Sequence, residues 1–180
     1  MNKKYELLVD DTITFLGWKL FRIKALISFG SVEAGELGGY VAKEGNLSHE
    51  GNAWVSDNAW VYGDAWVSDN AEVSDNAEVC GNARVSDNAW VSDNAWVYGD
   101  AEVCGDARVK SLKDYIVFKN NWSSGRYFTY TKSNKMWKAG CFYGTGQELI
   151  DEAYEDSENS GKHYEAYVNF VKILEELENE

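Results

Sequence analysis

The residues whose types and spacing invite chemistry are two histidines, three cysteines and a regular set of aspartates. His49 and His163 are the imidazoles available as general bases. His49 stands at the start of a repeat array, in an inward phase that suits a packed or hydrogen-bonded core histidine, and His163 opens a C-terminal helix and is expected to be exposed. Cys80, Cys104 and Cys141 have no C-x-x-C spacing, and no Cys–His cluster has metal-ligand spacing. Cys141 has no identifiable base beside it and reads as a buried small hydrophobe. Asp57, Asp75 and Asp93, each followed by an asparagine, offer the oxygen ligands that Ca²⁺ takes. The same pattern also describes a turn column satisfied by its own amides. Gly38-Gly39 and the glycines from 140 to 146 lack both a P-loop lysine and Rossmann spacing. The sequence therefore shows no evident catalytic site and calls for no cofactor.

The element that must position these residues is a repeat. From Gly51 to Lys110 the chain reads as ten six-residue units without an insertion, GNAWVS DNAWVY GDAWVS DNAEVS DNAEVC GNARVS DNAWVS DNAWVY GDAEVC GDARVK. A period of six excludes a continuous helix. Within each unit Ala and Val fall on one side and the residue between them on the other, as in a strand. The following Asp-Asn, Gly-Asn or Gly-Asp pair supplies a bend. Strand and bend in alternation close a coil, and three units make it, because residues eighteen apart then form uniform corners. Asp57, Asp75 and Asp93 stack, as do Gly63, Gly81 and Gly99, and Gly51, Asp69, Asp87 and Gly105. The expected core is Ala53 with Val55, Val61, Val67, Val73, Val79, Val85, Val91, Val97, Val103 and Val109, a filled column with no ligand channel. Upstream, Val41 and Leu47 fall in the Ala53 phase and Leu37 in the Val55 phase, while Lys43 and His49 occupy valine positions, so residues 30–50 read as an irregular first coil.

The residue between Ala and Val faces outward. Five of these positions are tryptophan: Trp54, Trp60, Trp66, Trp90 and Trp96. Tyr62 and Tyr98 lie in the next outward column, on either side of Cys80. Such aromatics either flatten on the faces, stack on a sugar, or are buried against a sister subunit or the flanking segments, since large aromatic patches mark interfaces. Self-association is the functional reading.

A short solenoid needs its edges capped. Residues 5–27 carry two apolar-aromatic runs broken near Asp10-Asp11 and at Gly17, a hairpin or strand pair serving as the cap. After Lys110 three short strands are expected, at 114–119, 126–131 and 136–142. A helix follows from Thr145, with Glu148 completing a capping box, then a loop over 156–161 and an amphipathic helix over 162–178. Trp122, Tyr130, Trp137 and Phe142 are expected in the core of this part. The organisation is thus a β cap at 1–29, a parallel β-helix at 30–110 with regular hexads at 51–110, and a β-β-β-α-α domain at 111–180.

The net charge is −13, with −8 of it on residues 51–110 and −4 on residues 111–180. That sign disfavours nucleic acid and anionic membrane as partners. No stretch approaches the 18 or so apolar residues of a membrane span. Three cysteines without disulfide spacing, and an N-terminus without an apolar leader, point to the cytoplasm.

The hexads resemble the hexapeptide-repeat superfamily of left-handed parallel β-helices, many of whose members are trimeric acyltransferases that use coenzyme A. The whole chain is similar to a group of bacterial and phage-borne proteins, through FRIKALISFGSVEAGELGGYV, NLSHEGNAWV, a CFxGTxxEL-like motif at Cys141–Leu149 and a KHYEAY-like helix. The resemblance implies a mainly β fold, a single-stranded left-handed β-helix with an N-terminal β cap and a small C-terminal α+β domain. It also implies a homo-oligomer, with a trimer as its model. Under its acyltransferase alternative, His49 is the base.

Overall fold

In a computed structural model the chain is described from Lys3 to Glu180. It divides into two compact units. The first runs to Ile116 and takes in Thr131–Asn134, and the second comprises Val117–Tyr130 and Lys135–Glu180.

The first unit is a parallel β-solenoid of about four turns. Each hexad contributes one two-residue strand, from β4 (Trp54–Val55) through β13 (Arg108–Val109), preceded by β1 (Tyr5–Phe15), β2 (Trp18–Ala25) and β3 (Leu37–Val41). Strands eighteen residues apart pair in parallel, as in Trp60↔Glu78 and Glu78↔Trp96. Three sheets result, ordered β1-β2-β3-β5-β8-β11, β13-β10-β7-β4 and β12-β9-β6. The valines and alanines of every hexad are buried, each valine completely. This dry column is the main hydrophobic driving force for the unit.

Each corner is turned by a residue in the left-handed region. Asp57, Asp75 and Asp93 have φ of 54°, 58° and 57°. An L-residue is held there at a cost, but the carboxylates of Asp57 and Asp75 each gain a partner one coil on. Asp57 Oδ2 accepts from the Asp75 N–H at 3.2 Å, and Asp75 Oδ2 from the Asp93 N–H at 3.1 Å. At the all-glycine corner the coils come too close for this device. A Cβ on Gly81 would lie 2.9 Å from the Gly99 nitrogen. The next residue builds a second ladder, in which Asn52, Asn70 and Asn88 each donate to the side chain eighteen residues later, at 3.0 to 3.2 Å.

Above the first full coil the ladder must end, and side chains replace the missing strand. Asn46, fully buried, donates from Nδ2 to the Gly63 and Ala65 carbonyls at 3.1 and 2.8 Å. Lys4, also buried, donates from Nζ to Ala53 at 2.8 Å and Gly51 at 3.4 Å. At the third corner the Tyr40 N–H reaches the Ala59 carbonyl at 2.9 Å. That approach is so close that a Cβ on Gly39 would lie 2.5 Å from the same oxygen. At the far end Ser133 Oγ accepts from the Arg108 N–H at 2.7 Å, and the Tyr115 hydroxyl donates to the Trp96 carbonyl at 2.8 Å.

The irregular first coil differs from its expected phase. Val41 pairs with Val61, and Leu47 bridges to Val67. The offset is therefore twenty residues, and Val41 and Leu47 hold valine positions. The corner between Leu47 and Val55 carries two extra residues, which shifts everything before it. Lys43 and His49 are accordingly corner residues, and Leu37 is exposed.

The N-terminal segment is an antiparallel hairpin, turned by Leu16 and Gly17 with both φ positive. Its second strand pairs with β3, so it extends one sheet of the solenoid. The outer strand β1 is irregular between Leu8 and Thr12, where Asp10 and Asp11 fall. A bulge and charges on an edge oppose further strand pairing.

From Tyr115 a four-stranded sheet follows in chain order, its last pair antiparallel: β14 (Tyr115–Lys119), β15 (Tyr127–Thr131), β16 (Met136–Ala139) and β17 (Phe142–Thr145). It carries α1 (Gly146–Asp156) and α2 (Glu158–Glu178). The order is β-β-β-β-α-α, one strand more than expected. Gly140, at φ 61°, turns the chain back through Cys141 so that Phe142 opens a new strand. Thr145 and Glu148 form the capping box at α1. The expected loop shrinks to Ser157, whose side chain caps α2 by accepting from the Ser160 N–H. Tyr130 and Trp137 are buried in the second unit, but Trp122 is exposed, and so is Cys141.

Candidate interaction surface

The outward columns begin under cover and end bare. Trp54 and Tyr62, at 5% and 8% exposure, are not surface residues. Trp54 lies against Phe29 and Tyr5, with ring centroids at 5.4 and 6.4 Å. Tyr62 lies beneath Phe15, Trp18 and Leu20 of the hairpin. Trp60 is half-buried, 4.9 Å from Phe15. The physical reason is that the hairpin brings apolar residues over the first coil, where sequence phase alone points the aromatics outward. Further on, in these same two sheets, Trp90, Trp96 and Tyr98 remain 40–46% exposed, and Trp66 on the third sheet matches them.

These uncovered rings are held in place. Trp90 Nε1 donates to Ser74 Oγ at 3.1 Å, and Trp96 Nε1 to Cys80 Sγ at 3.3 Å. Each indole thus leans onto the preceding coil and presents a face. Trp96 and Tyr98 pack at 4.6 Å. The Arg108 guanidinium sits 4.6 Å over Trp90, and that of Arg84 6.0 Å over Trp66, in cation–π geometry. The result is a set of large, pre-ordered amphipathic side chains, the type that carries most energy at protein interfaces.

The other candidates are placed as follows. His49 stacks on Tyr5 at 4.3 Å, and its Nδ1 accepts from the Lys4 N–H at 3.2 Å. Its Nε2 is buried without a hydrogen bond among the described residues, 4.0 Å from Glu44 Oε2. Burial lowers its pKa, with the Glu44 carboxylate opposing. Neither nitrogen is open to an incoming acyl acceptor. His163 is tied through Nδ1 to the Asn159 carbonyl at 2.7 Å. The Asp57–Asp75–Asp93 column spends carboxylate oxygens on backbone amides. Among the described residues no group of three or more His, Cys, Asp or Glu is placed to hold a metal ion. No helix among them is long and apolar enough to cross a membrane.

One feature had no sequence signal. A cleft of about 340 Å³ opens in the second unit, lined by residues that include Ser124, Arg126, Glu152, Asp156, Asn159 and Tyr164. It forms where the β14–β15 loop, the β16–β17 turn and the junction of α1 with α2 converge, three segments distant in sequence.

Compared with known proteins, the chain matches the YdcK beta solenoid repeat family over residues 77–93. That stretch lies within the hexads and agrees with the coil geometry there. No curated protein matches the chain.

Proposed function

We propose that this protein is a structural or interaction module that works by self-association through the uncovered aromatic faces of its solenoid. The observation that carries the reading is the contrast along a single column. Tyr62 is sealed by the hairpin, whereas Tyr98, two coils on, is bare beside Trp96. A second copy would cover the latter as the hairpin covers the former. With a net charge of −13, assembly has to work against repulsion, so added salt should strengthen it. The order we propose is a homo-trimer, by analogy with the hexapeptide-repeat superfamily. Three cysteines, two of them buried, suit a cytoplasmic setting. Acyl transfer by His49 draws no support from a ring whose Nδ1 is engaged by the Lys4 N–H and whose Nε2 is buried.

Sedimentation equilibrium tests this. The parent should sediment with the mass of three chains, and the double variant Trp96→Ser/Tyr98→Ser should shift toward one chain with an unchanged β-sheet circular dichroism spectrum. A parent that stays monomeric at about 100 μM, or a double variant with undiminished assembly, would defeat the reading.

A further inference from the structure

Two stretches of the solenoid are the same peptide. Residues 52–65 and 88–101 both read NAWVSDNAWVYGDA, two coils apart. They share their backbone as well. Trp60 and Trp96 lie in register on one sheet with Glu78 between them. Asp57 and Asp93 turn at φ 54° and 57°, and Gly63 and Gly99 at 70° and 67°. What differs is their cover.

On the first copy the chain itself supplies an apolar lid and a cation. The rings of Phe15 and Trp18 lie 6.3 and 6.0 Å from that of Tyr62. Lys43 Nζ meets Asp64 Oδ1 at 2.7 Å. The second copy has neither. Trp96 and Tyr98 are bare, and Asp100, the counterpart of Asp64, meets no cation among the described residues. Its Oδ1 accepts only from a neutral donor, Asn82 Nδ2, at 3.1 Å.

The tip of the hairpin carries what that surface lacks. Its turn is Leu16-Gly17, with φ of 46° and 84°. Two positive φ values in a hairpin turn favour Asn-Gly, because Asn tolerates the left-handed region and leucine does not. Leu16 is nevertheless there, 82% exposed, the one apolar side chain with positive φ among the described residues. Strain and exposure together bring the isolated hairpin nothing. Beside it Trp18 keeps 42% exposure outside its contact with Tyr62. Lys19 is exposed and has no carboxylate partner among the described residues. The strand they open, β2, holds three cations and no acid in a chain of net charge −13.

We infer, resting on self-association by the aromatic faces, that the hairpin tip of one copy docks on residues 88–101 of the next. Leu16 and Trp18 meet Trp96 and Tyr98, and Lys19 meets Asp100. Apolar surface leaves water on both sides, which supplies the affinity. The ion pair lies exposed at the rim, so it selects the patch more than it tightens the contact. Two different patches make a head-to-tail contact, which three copies close into a ring.

Sedimentation equilibrium of full-length variants tests this. Leu16→Asn suits the turn better, so it should hold or raise the thermal midpoint of the dilute, dissociated protein. Yet it should weaken assembly about tenfold. A residue that served only the hairpin would move both in the same direction. Lys19→Glu should weaken assembly about threefold. Asp100→Lys should do the same, although it brings the net charge nearer zero, and the two exchanged together should recover the loss. If Trp96→Ser/Tyr98→Ser dissociates the parent while Leu16→Asn and Lys19→Glu assemble as it does, the aromatic faces meet another surface. The docking is then refuted and the self-association reading stands. A monomeric parent defeats both.

Discussion

Replacing Asn46 with alanine should remove the plug that stands in for a missing coil. Three hydrogen bonds go: two from Nδ2 to Gly63 and Ala65, and one into Oδ1 from the Lys43 N–H at 3.0 Å. At a net value of about 1 kcal/mol each, the loss is about 3 kcal/mol. Because the side chain is fully buried, the orphaned groups are poorly placed to find water, which raises the figure to roughly 3–5 kcal/mol. That is a large part of a typical stability of about 5–15 kcal/mol. Urea unfolding followed by far-UV circular dichroism reads it. Repeat arrays can fray from one end, so hydrogen exchange at the Ser48 and Trp66 amides should report whether the first coil opens separately. Asn46→Asp sharpens the test. The acceptor is kept, both donors are lost, and a carboxylate faces two carbonyls, which raises its folded pKa. The folded state then binds a proton that the unfolded state does not, so this variant should gain stability as pH falls through that raised value toward about 4. A loss below about 1 kcal/mol in the alanine variant would refute the reasoning. So would an aspartate variant whose pH profile runs parallel to the parent's.

Two further predictions concern the same unit. Val85→Ala, in the middle of its column, should cost about 2–3 kcal/mol in urea unfolding, from two lost methyl groups and the cavity they leave. A cost under about 0.5 kcal/mol would mean that the coil collapses around the gap. Burial lowers the Lys4 pKa from 10.5 to about 8. Between these values the unfolded chain holds more protons, so stability should rise as pH climbs from 8, and Lys4→Met should flatten the slope. The window to measure is pH 7 to 9.5, because burial raises the Tyr5, Tyr62 and Tyr115 pKa values and their ionisation opposes folding at higher pH.

The coil was legible because its rule repeats. Ten valines at one spacing and three aspartates at a multiple of it leave a single register, and that register is the one observed. The first coil was not, because two additional residues in one corner change neither composition nor polarity, yet they shift the phase of Val41, Leu47 and His49. Cover by the flanking segments was one of the readings open to the aromatics, but that it falls on Trp54 and Tyr62 was hidden for another reason. Their cover comes from Phe29, Phe15 and Leu20, and local alternation cannot tell solvent from a returning strand. In the second unit the capping box at Thr145 was readable, being a contact within one helical turn. The exposure of Trp122 was not, since its cause is the buried side chain of Asn120, which holds the loop in place.

The eighteen-residue register also has a consequence for how such a chain can change over generations. Coding repeats are prone to gain and lose copies. A gain of three hexads adds one coil, about 4.8 Å of length, and returns every downstream residue to its own face. A gain of one hexad between coils instead carries Trp90, Trp96 and Tyr98 together a third of a turn around the axis and takes the two indoles off Ser74 and Cys80 of the preceding coil. Copy number in threes is therefore a nearly silent adjustment of reach, and copy number in ones is a redrawing of the surface. The uniform corners at Asp57, Asp75 and Asp93 make the protein tolerant of the first kind of change and its aromatic faces sensitive to the second.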